Sequence, residues 1–174
     1  METAVPNATY ASYDEILIQE DTASDINCLV NGLAQNGYIP VISYGYRSFE
    51  LQDQLHEAYG NQAATAGNSQ HQTGLAFDIH QYATVDENGN AQFFDACTLA
   101  NTPECEPTLL AISIAAECGI AHPLGWDAPH FFDVTAACPG LDTFVESVQN
   151  PTATYYDELN AMIAQIQQEC LEGL

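Results

Sequence analysis

The fold of this chain is constrained first by the stretch from Ser69 to His80, which reads SQHQTGLAFDIH. After the glycine of a predicted tight turn, apolar residues recur at every second position, the period of a strand with one face in a core. These apolar residues are Leu75, Phe77 and Ile79. Asp78 and His80 alternate with them and are predicted to face a cleft, with His71 at the other end of the turn.

A histidine and an aspartate at the two ends of one compact turn can be aimed at a single point. Catalytic zinc takes three protein ligands from His, Asp or Glu and keeps one position open. His71, Asp78 and His130, which opens a later predicted strand, therefore form a candidate set for one zinc ion. Asp127, three residues before His130, would lie close to a water on the ion and could act as general base.

Arg47, in the segment SYGYRS, is the only arginine in a chain without lysine. A guanidinium can bind a carboxylate through two hydrogen bonds or stabilise a developing oxyanion. Arg47 is therefore predicted to act in catalysis and in substrate binding. The alternative is structural, a buried ion pair with an aspartate or glutamate.

The charge balance excludes some partners and leaves the setting open. With 24 acidic residues and a net charge of −23, the chain is predicted to bind neither nucleic acid nor an anionic membrane surface. No apolar run is long enough to be inserted in a membrane. High salt or an acidic medium would both reduce the self-repulsion, and the ordinary number of acids favours an acidic extracellular setting. The first residues lack a signal-peptide pattern, so Met1 onward is interpreted as a mature form.

The cysteines indicate an oxidising compartment. There are six, widely spaced and without a C-x-x-C pair: Cys28, Cys97, Cys105, Cys118, Cys138 and Cys170. This pattern favours three disulfides and secretion, with Cys97 and Cys105 near enough for a local bridge. Buried free thiols are the alternative.

Helix and strand patterns are mixed along a chain that we predict to form a single domain, residues 1–174, with an irregular segment at 1–21. Strands are predicted at Tyr38–Tyr46, Leu75–His80 and His130–Val134. Helices are predicted from a capping box of Thr22 and Asp25 to Gly37, after Ser48, from Pro107 to Cys118, and from Pro151. The helix after Ser48 is predicted to turn Leu51, Leu55 and Ala58 inward. The predicted class is α+β, with a small antiparallel sheet and flanking helices that form a zinc-containing cleft.

Three motifs in this order, GYRSxxxQ, SxHxxGxAxDI and (D/E)xxH, resemble the LAS group of zinc metallopeptidases over about residues 24–134. That group includes D-alanyl-D-alanine carboxypeptidases and dipeptidases and L-alanyl-D-glutamate endopeptidases. The resemblance implies zinc held by His71, Asp78 and His130, and Asp127 as the catalytic carboxylate. It implies that Arg47 engages a substrate carboxylate or the transition state. It also matches Ser69 to a serine near the substrate and Gln54 to a glutamine beside the arginine helix.

The resemblance implies a secreted zinc peptidase that cuts a D-residue-containing peptide or peptidoglycan fragment, and one departure leaves its type open. Many carboxypeptidases of the group carry Glu-Pro-Trp-His, whereas the form here, WDAPHF, is closer to the endopeptidase branch. A non-catalytic binding domain of the same fold, as in hedgehog-type signalling proteins, is the alternative. His80 is interpreted either as substrate-facing or as a rim histidine. The sequence does not decide the oligomeric state.

Overall fold

The computed structural model describes residues 2–4, 9–10, 16–66, 69–122 and 126–133. The predicted helix from Pro151, and Cys138 and Cys170, lie outside these residues. Within the described part, no helix has the length and apolar character needed to cross a bilayer. The strands are β1 (Glu2–Ala4), β2 (Thr9–Tyr10), β3 (Leu17–Gln19), β4 (Ile39–Tyr44), β5 (Ala76–Val85), β6 (Ala91–Asp95), β7 (Ile120–Ala121) and β8 (His130–Asp133). The α-helices are α1 (Glu20–Gln35), α2 (Phe49–Tyr59) and α3 (Glu106–Glu117).

The main sheet has the strand order β2-β4-β5-β8-β7, with β6 also paired to β5. Every pair in it is antiparallel except the short pair β2–β4, which is parallel. The predicted α+β class with a small antiparallel sheet and flanking helices is confirmed. The segment 1–21 differs from the prediction of an irregular start, because β1 and β3 pair with each other there and β2 joins the main sheet.

Helix α1 begins earlier than its sequence pattern predicts. The predicted capping box at Thr22 is wrong, since Thr22 lies inside the helix and is fully buried. The chain enters the helix at Gln19, whose backbone N–H and side-chain Nε2 donate to the carbonyl oxygens of Gly74 and Thr73, both at 3.0 Å. These long-range bonds fix the helix start and are invisible to a local pattern. The end is as predicted, with Gly37 at φ +84° after the last turn.

The core lies between α1, α3 and one face of the sheet. Helix α1 turns Ile26, Leu29 and Leu33 into this core, where all three are fully buried. The two helices pack closely at Gly32, where an added Cβ would lie 2.6 Å from Cγ2 of Ile114. This packing anchors the sheet that carries the candidate site.

Helix α2 has the predicted start and a different inward face. Ser48 caps it, since its Oγ accepts a hydrogen bond from the Leu51 backbone N–H at 3.1 Å. The predicted inward face is wrong at Leu51, which is 40% exposed, and at Ala58, which is also exposed, whereas Gln52 is only 1% exposed. Gln52 Nε2 donates to the Ala64 carbonyl oxygen at 2.7 Å, so the helix faces the following loop with a polar side chain.

Two disulfides join described cysteines, Cys28–Cys118 and Cys97–Cys105, and the second is the predicted local bridge. The first closes a sequence separation of 90 residues between α1 and α3, and the second a separation of 8. On a chain-entropy estimate, removing the first by paired Cys→Ala substitution should lower the free energy of unfolding by about 4–5 kcal/mol, against about 2–3 kcal/mol for the second. Urea denaturation of both double variants checks this; equal losses would contradict it.

Candidate metal centre

The sheet register brings the candidate residues together at the start of β5. Asp78 on β5 lies opposite His130 on β8 and opposite Tyr44 on β4. His71 lies in the short 3₁₀ helix Gln70–Thr73, which leads into β5 through Gly74 in the left-handed conformation. His71, Asp78 and His130 are all buried. Two of them therefore come from one turn-and-strand unit and the third from the neighbouring strand.

These three side chains form a compact cluster, each offering one ligand atom within 4.8 Å of the others. Asp78 Oδ1 lies 3.2 Å from His71 Nε2 and 3.2 Å from His130 Nδ1, and the two nitrogens are 3.2 Å apart. Ligand atoms held 2.0–2.1 Å from a tetrahedral zinc lie about 3.3 Å apart. Donor types and spacing therefore fit one zinc ion with three protein ligands and an open fourth position.

The outer nitrogens of the two histidines are hydrogen-bonded so that the inner ones face Asp78. His71 Nδ1 donates to the Gly45 carbonyl oxygen at 2.8 Å, and His130 Nε2 donates to Gln70 Oε1 at 2.7 Å. We assign these donor roles from the acceptors, since a carbonyl oxygen accepts only. Such bonds orient metal-binding histidines and fix their tautomers. Gln70 was missed by sequence reasoning, and no spacing signal marks it.

Gly45 allows this arrangement because it lies against the backbone of β3. A Cβ at this position would be 2.3 Å from the Leu17 carbonyl oxygen and 2.8 Å from Cγ2 of Ile16. The same carbonyl of Leu17 accepts a hydrogen bond from the Tyr46 N–H at 2.7 Å. A glycine is therefore required sterically where the chain supplies the acceptor for His71.

Arg47 lies beside the cluster and is paired with its carboxylate. One guanidinium nitrogen is 2.9 Å from Asp78 Oδ2, and the guanidinium carbon lies 4.8 Å from the centre of the Tyr44 ring. The backbone N–H of Arg47 also donates to the His71 carbonyl oxygen at 3.1 Å. The buried ion pair considered for Arg47 is thus present. Because its partner Asp78 belongs to the cluster, Arg47 both forms a structural ion pair and lies at the candidate site.

Electrostatics keep this pair charged. Burial alone would raise the pKa of Asp78, but the neighbouring His71, hydrogen bonds from both histidines and Arg47 together hold it well below its usual range. Burial lowers the pKa of Arg47, and the charges of Asp78, Tyr44 and Asp127 oppose that effect. Asp78 therefore stays an anion, the form that binds metal.

Asp127 lies at the entrance to β8. Its carbonyl oxygen accepts from the His130 N–H at 3.1 Å, and the Pro129 carbonyl oxygen accepts from the Ile79 N–H at 2.9 Å. These bonds tie the segment to β5 on the cluster side. The Asp127 side chain is half-buried and close enough to Arg47 for its charge to favour the guanidinium cation. Its neighbour Trp126 is 79% exposed.

The two further predicted substrate residues lie in different surroundings. Ser69 is buried and forms a capping box with Gln72 at the start of the short helix that carries His71. Gln54 is exposed on α2. The final glutamine of the motif GYRSxxxQ is Gln52, which is buried. The motif therefore does not correspond to Gln54, and the match of Gln54 is wrong. The role of Ser69 stays a prediction.

Residues 15–100, just under half of the chain, match the family described as VanY, D-alanyl-D-alanine carboxypeptidase. The chain has no significant match among curated protein sequences. Among solved structures it is similar to the LdcB LD-carboxypeptidase, a structure described as revealing the basis of peptidoglycan recognition. The TM-score is 0.53 at 16% identity over 89% of this chain and 77% of LdcB.

A vancomycin-resistance D,D-pentapeptidase VanY mutant, solved in complex with Zn(II), is similar with a TM-score of 0.49 and 16% identity, over 86% of this chain and 87% of VanY. The motifs, the family match and the LdcB-like fold agree in supporting a LAS-group zinc metallopeptidase. The resemblance predicted from the motifs is thereby confirmed, with the fold of a peptidoglycan peptidase and a possible metal site.

The family match and the structure cover different parts of the candidate site. Residues 15–100 include Arg47, His71 and Asp78 but end before Asp127 and His130. The pairing of β8 with β5 shows how His130, which lies outside the matched residues, joins the site, because it places His130 opposite Asp78.

Proposed function

We propose that this zinc metallopeptidase is a carboxypeptidase that removes a C-terminal D-residue from peptidoglycan stem peptides. The observation that carries the proposal is the buried His71, Asp78 and His130 cluster with Arg47 at its side. The name of the matched family favours a carboxypeptidase over a dipeptidase. An endopeptidase is the second candidate, favoured by the form Asp127-Ala-Pro-His130.

His71, Asp78 and His130 would hold one zinc ion through Nε2, Oδ1 and Nδ1. Zinc bound there would polarise the scissile carbonyl of the substrate and lower the pKa of a bound water. Gly45 and Gln70 keep the two histidine rings in the orientation that presents those nitrogens. Arg47 holds the second oxygen of Asp78, which leaves Oδ1 directed toward the histidines.

Asp127 would move the protons of the reaction. Its carboxylate oxygen accepts a proton from the attacking water and then gives it to the nitrogen of the leaving D-residue. Arg47 retains guanidinium N–H groups beyond the one bonded to Asp78, and these can donate to the substrate carboxylate or to the developing oxyanion. Ser69 is proposed as an outer substrate contact.

Charge at the site favours an anionic peptide end only when metal is present. Arg47 is positive, whereas Asp78 and Asp127 are negative, so the three residues together carry one net negative charge. A divalent cation reverses the sign of this local charge. In a chain with a net charge of −23, this is the place where a substrate carboxylate can be attracted.

The setting that we propose is extracellular. Two cross-linked cysteine pairs fit an oxidising compartment, and the match to a peptidoglycan-acting family fits an extracellular or cell-wall location. The acidic medium that composition favours stays a prediction.

A digest of muropeptides, free D-Ala-D-Ala and an L-Ala-γ-D-Glu peptide, analysed by mass spectrometry, tests the function. Each substrate is incubated with the protein as purified, after chelation, and after zinc add-back. Chelator-sensitive loss of one terminal D-Ala is expected. Cleavage after L-Ala would replace the proposal with the endopeptidase, and cleavage of free D-Ala-D-Ala with a dipeptidase. No cleavage by zinc-loaded protein would favour the non-catalytic binding domain.

The pH profile is expected to have an acid limb that coincides with zinc release. His71 must be neutral to bind zinc, and burial lowers its pKa below the ordinary value of about 6.5 more than Asp78 raises it. The neutral form therefore persists to lower pH than it would in an exposed histidine. Parallel measurement of kcat/KM and bound zinc from neutral to acid pH checks this. Activity that persists after zinc has dissociated would contradict it.

A further inference from the structure

Two adjacent strands carry an extra residue each where they pass the cluster. On β5, Gln81 pairs with Val41 and Ile79 with Ile42, so His80 has no partner of its own in the β4 register. On β4, Ile42 pairs with Ile79 and Tyr44 with Asp78, so Ser43 has no partner in the β5 register. Bulges of this kind re-aim side chains and are common beside active sites.

The two bulged residues contact each other. Ser43 Oγ is hydrogen-bonded to His80 Nδ1, and the ring of His80 meets that of Tyr44 edge to face at 5.8 Å between centroids. Tyr44 in turn lies against the Arg47 guanidinium. The contacts therefore run without a gap from Arg47 to His80 along the side of the cluster.

This set of side chains is open to solvent at the end away from Arg47. His80 is exposed and Tyr44 is 41% exposed, although Asp78, two residues before His80, is only 6% exposed. An exposed aromatic pair that continues directly from a buried charged cluster forms a surface on which a peptide can lie. The apolar ring of Tyr44 suits a small side chain, and His80 supplies a polar atom.

The hydrogen bonds of Ser43 indicate which ring nitrogen of His80 carries the hydrogen. Within the described part of the chain, the other acceptor near its hydroxyl is the Asp78 carbonyl oxygen at 3.5 Å, which is at the limit of a hydrogen bond. The hydroxyl proton is therefore assigned to His80 Nδ1, which then accepts, and the ring hydrogen of the neutral histidine lies on Nε2. Nε2–H is a donor suited to a carbonyl or carboxylate oxygen of a peptide.

We propose that Ser43, Tyr44 and His80 form a substrate subsite in which His80 Nε2 donates to a backbone oxygen of the peptide. The proposal rests on the proposed peptidase function, which it deepens by naming specificity-determining residues outside the three sequence motifs. His80 is a binding residue in this proposal, and Ser43 positions it.

Two substitutions of His80 distinguish the role of Nδ1 from the role of Nε2. His80→Asn keeps an amide near the position of Nδ1, in reach of Ser43, and removes the outer donor. His80→Gln extends an amide N–H toward the position of Nε2. His56 is the matched control, because it is likewise hydrogen-bonded through Nδ1, to the Ala63 carbonyl oxygen at 2.7 Å.

The probe is diacetyl-L-Lys-D-Ala-D-Ala. KM and kcat are measured in the zinc-loaded enzyme, and the dissociation constant by calorimetry in an Asp127→Asn background. His80→Asn is expected to raise KM and the dissociation constant about tenfold, the loss of one hydrogen bond, with kcat and zinc content near wild type. His80→Gln should recover most of the affinity, and His56→Asn should change neither value.

Each other outcome overturns the subsite. If His80→Asn binds as wild type does, or if His80→Gln is the weaker binder, the histidine serves only its contact with Ser43. If the affinity loss of His80→Asn accompanies a loss of zinc, the substitution acts on the metal centre and not on a peptide contact. If wild-type enzyme neither binds nor cuts the peptide, the proposed carboxypeptidase function fails together with the subsite, an outcome distinct from the failure of the His80 variants alone.

Discussion

Asp127→Asn is expected to lower kcat by a factor of about 10²–10⁴ while zinc content stays at the wild-type level. The amide has nearly the shape of the carboxylate but cannot accept a proton from the attacking water. Asp127 is not one of the three clustered donors, so the metal centre should be retained. Single-turnover kinetics and metal analysis of the same samples measure the two effects.

Asp21→Asn provides the matched control, since it makes the same change at an exposed aspartate on α1. It should leave kcat unchanged. An Asp127→Asn enzyme with wild-type kcat would remove Asp127 from the role of base. A variant that loses zinc in proportion to its activity would make Asp127 a residue of the metal centre instead.

Asp78→Asn is expected to abolish zinc binding and also to destabilise the metal-free protein by about 3 kcal/mol. The substitution removes the anion between two histidines and leaves the guanidinium of Arg47 without its charged partner, in a setting where the two side chains are only 15% and 8% exposed. Metal analysis and urea denaturation in chelator measure the two losses. Arg47→Met in the Asp78→Asn background should recover part of the stability, because the unpaired buried charge is then gone.

The stability loss should depend on pH with a definite sign. The pKa of Asp78 is lowered in the folded protein, so its contribution is fully present above the unfolded value of about 3.9 and is lost as pH falls toward the folded value. The difference between wild type and Asp78→Asn should therefore narrow below about pH 4. A difference that is the same at neutral and strongly acid pH would show that charge is not its cause.

Local sequence determines much of the site and little of its surroundings. His71 and Asp78 could be predicted together because one turn and one strand place both, and the period of two correctly put Phe77 and Ile79 in the core. His130 was a candidate from its place at the start of a predicted strand and from the resemblance, but only the pairing of β8 with β5 brings it near Asp78. Gln70 could not be found, because its hydrogen bond to His130 spans 60 positions of the chain.

Tertiary contacts explain the other differences from prediction. Period two would continue the core face of β5 to Gln81, yet Tyr82 is the fully buried residue, because the bulge at His80 shifts the alternation by one. Gln52 replaces Leu51 on the inner face of α2 for a bond to a loop that no helical pattern encodes. The single-domain organisation over 1–174 and the substrate role of Ser69 stay predictions.

The cross-link between Cys28 and Cys118 divides the proposed catalytic residues into two groups. Arg47, His71 and Asp78 lie inside the covalent ring that it closes, whereas Asp127 and His130 lie outside it. The second group is attached to the ring through the short ladder of β8 on β5. Closing this one cysteine pair therefore restricts the unfolded chain around Arg47, His71 and Asp78 only, and a protein made in a reducing host would lack that stabilisation of the first group.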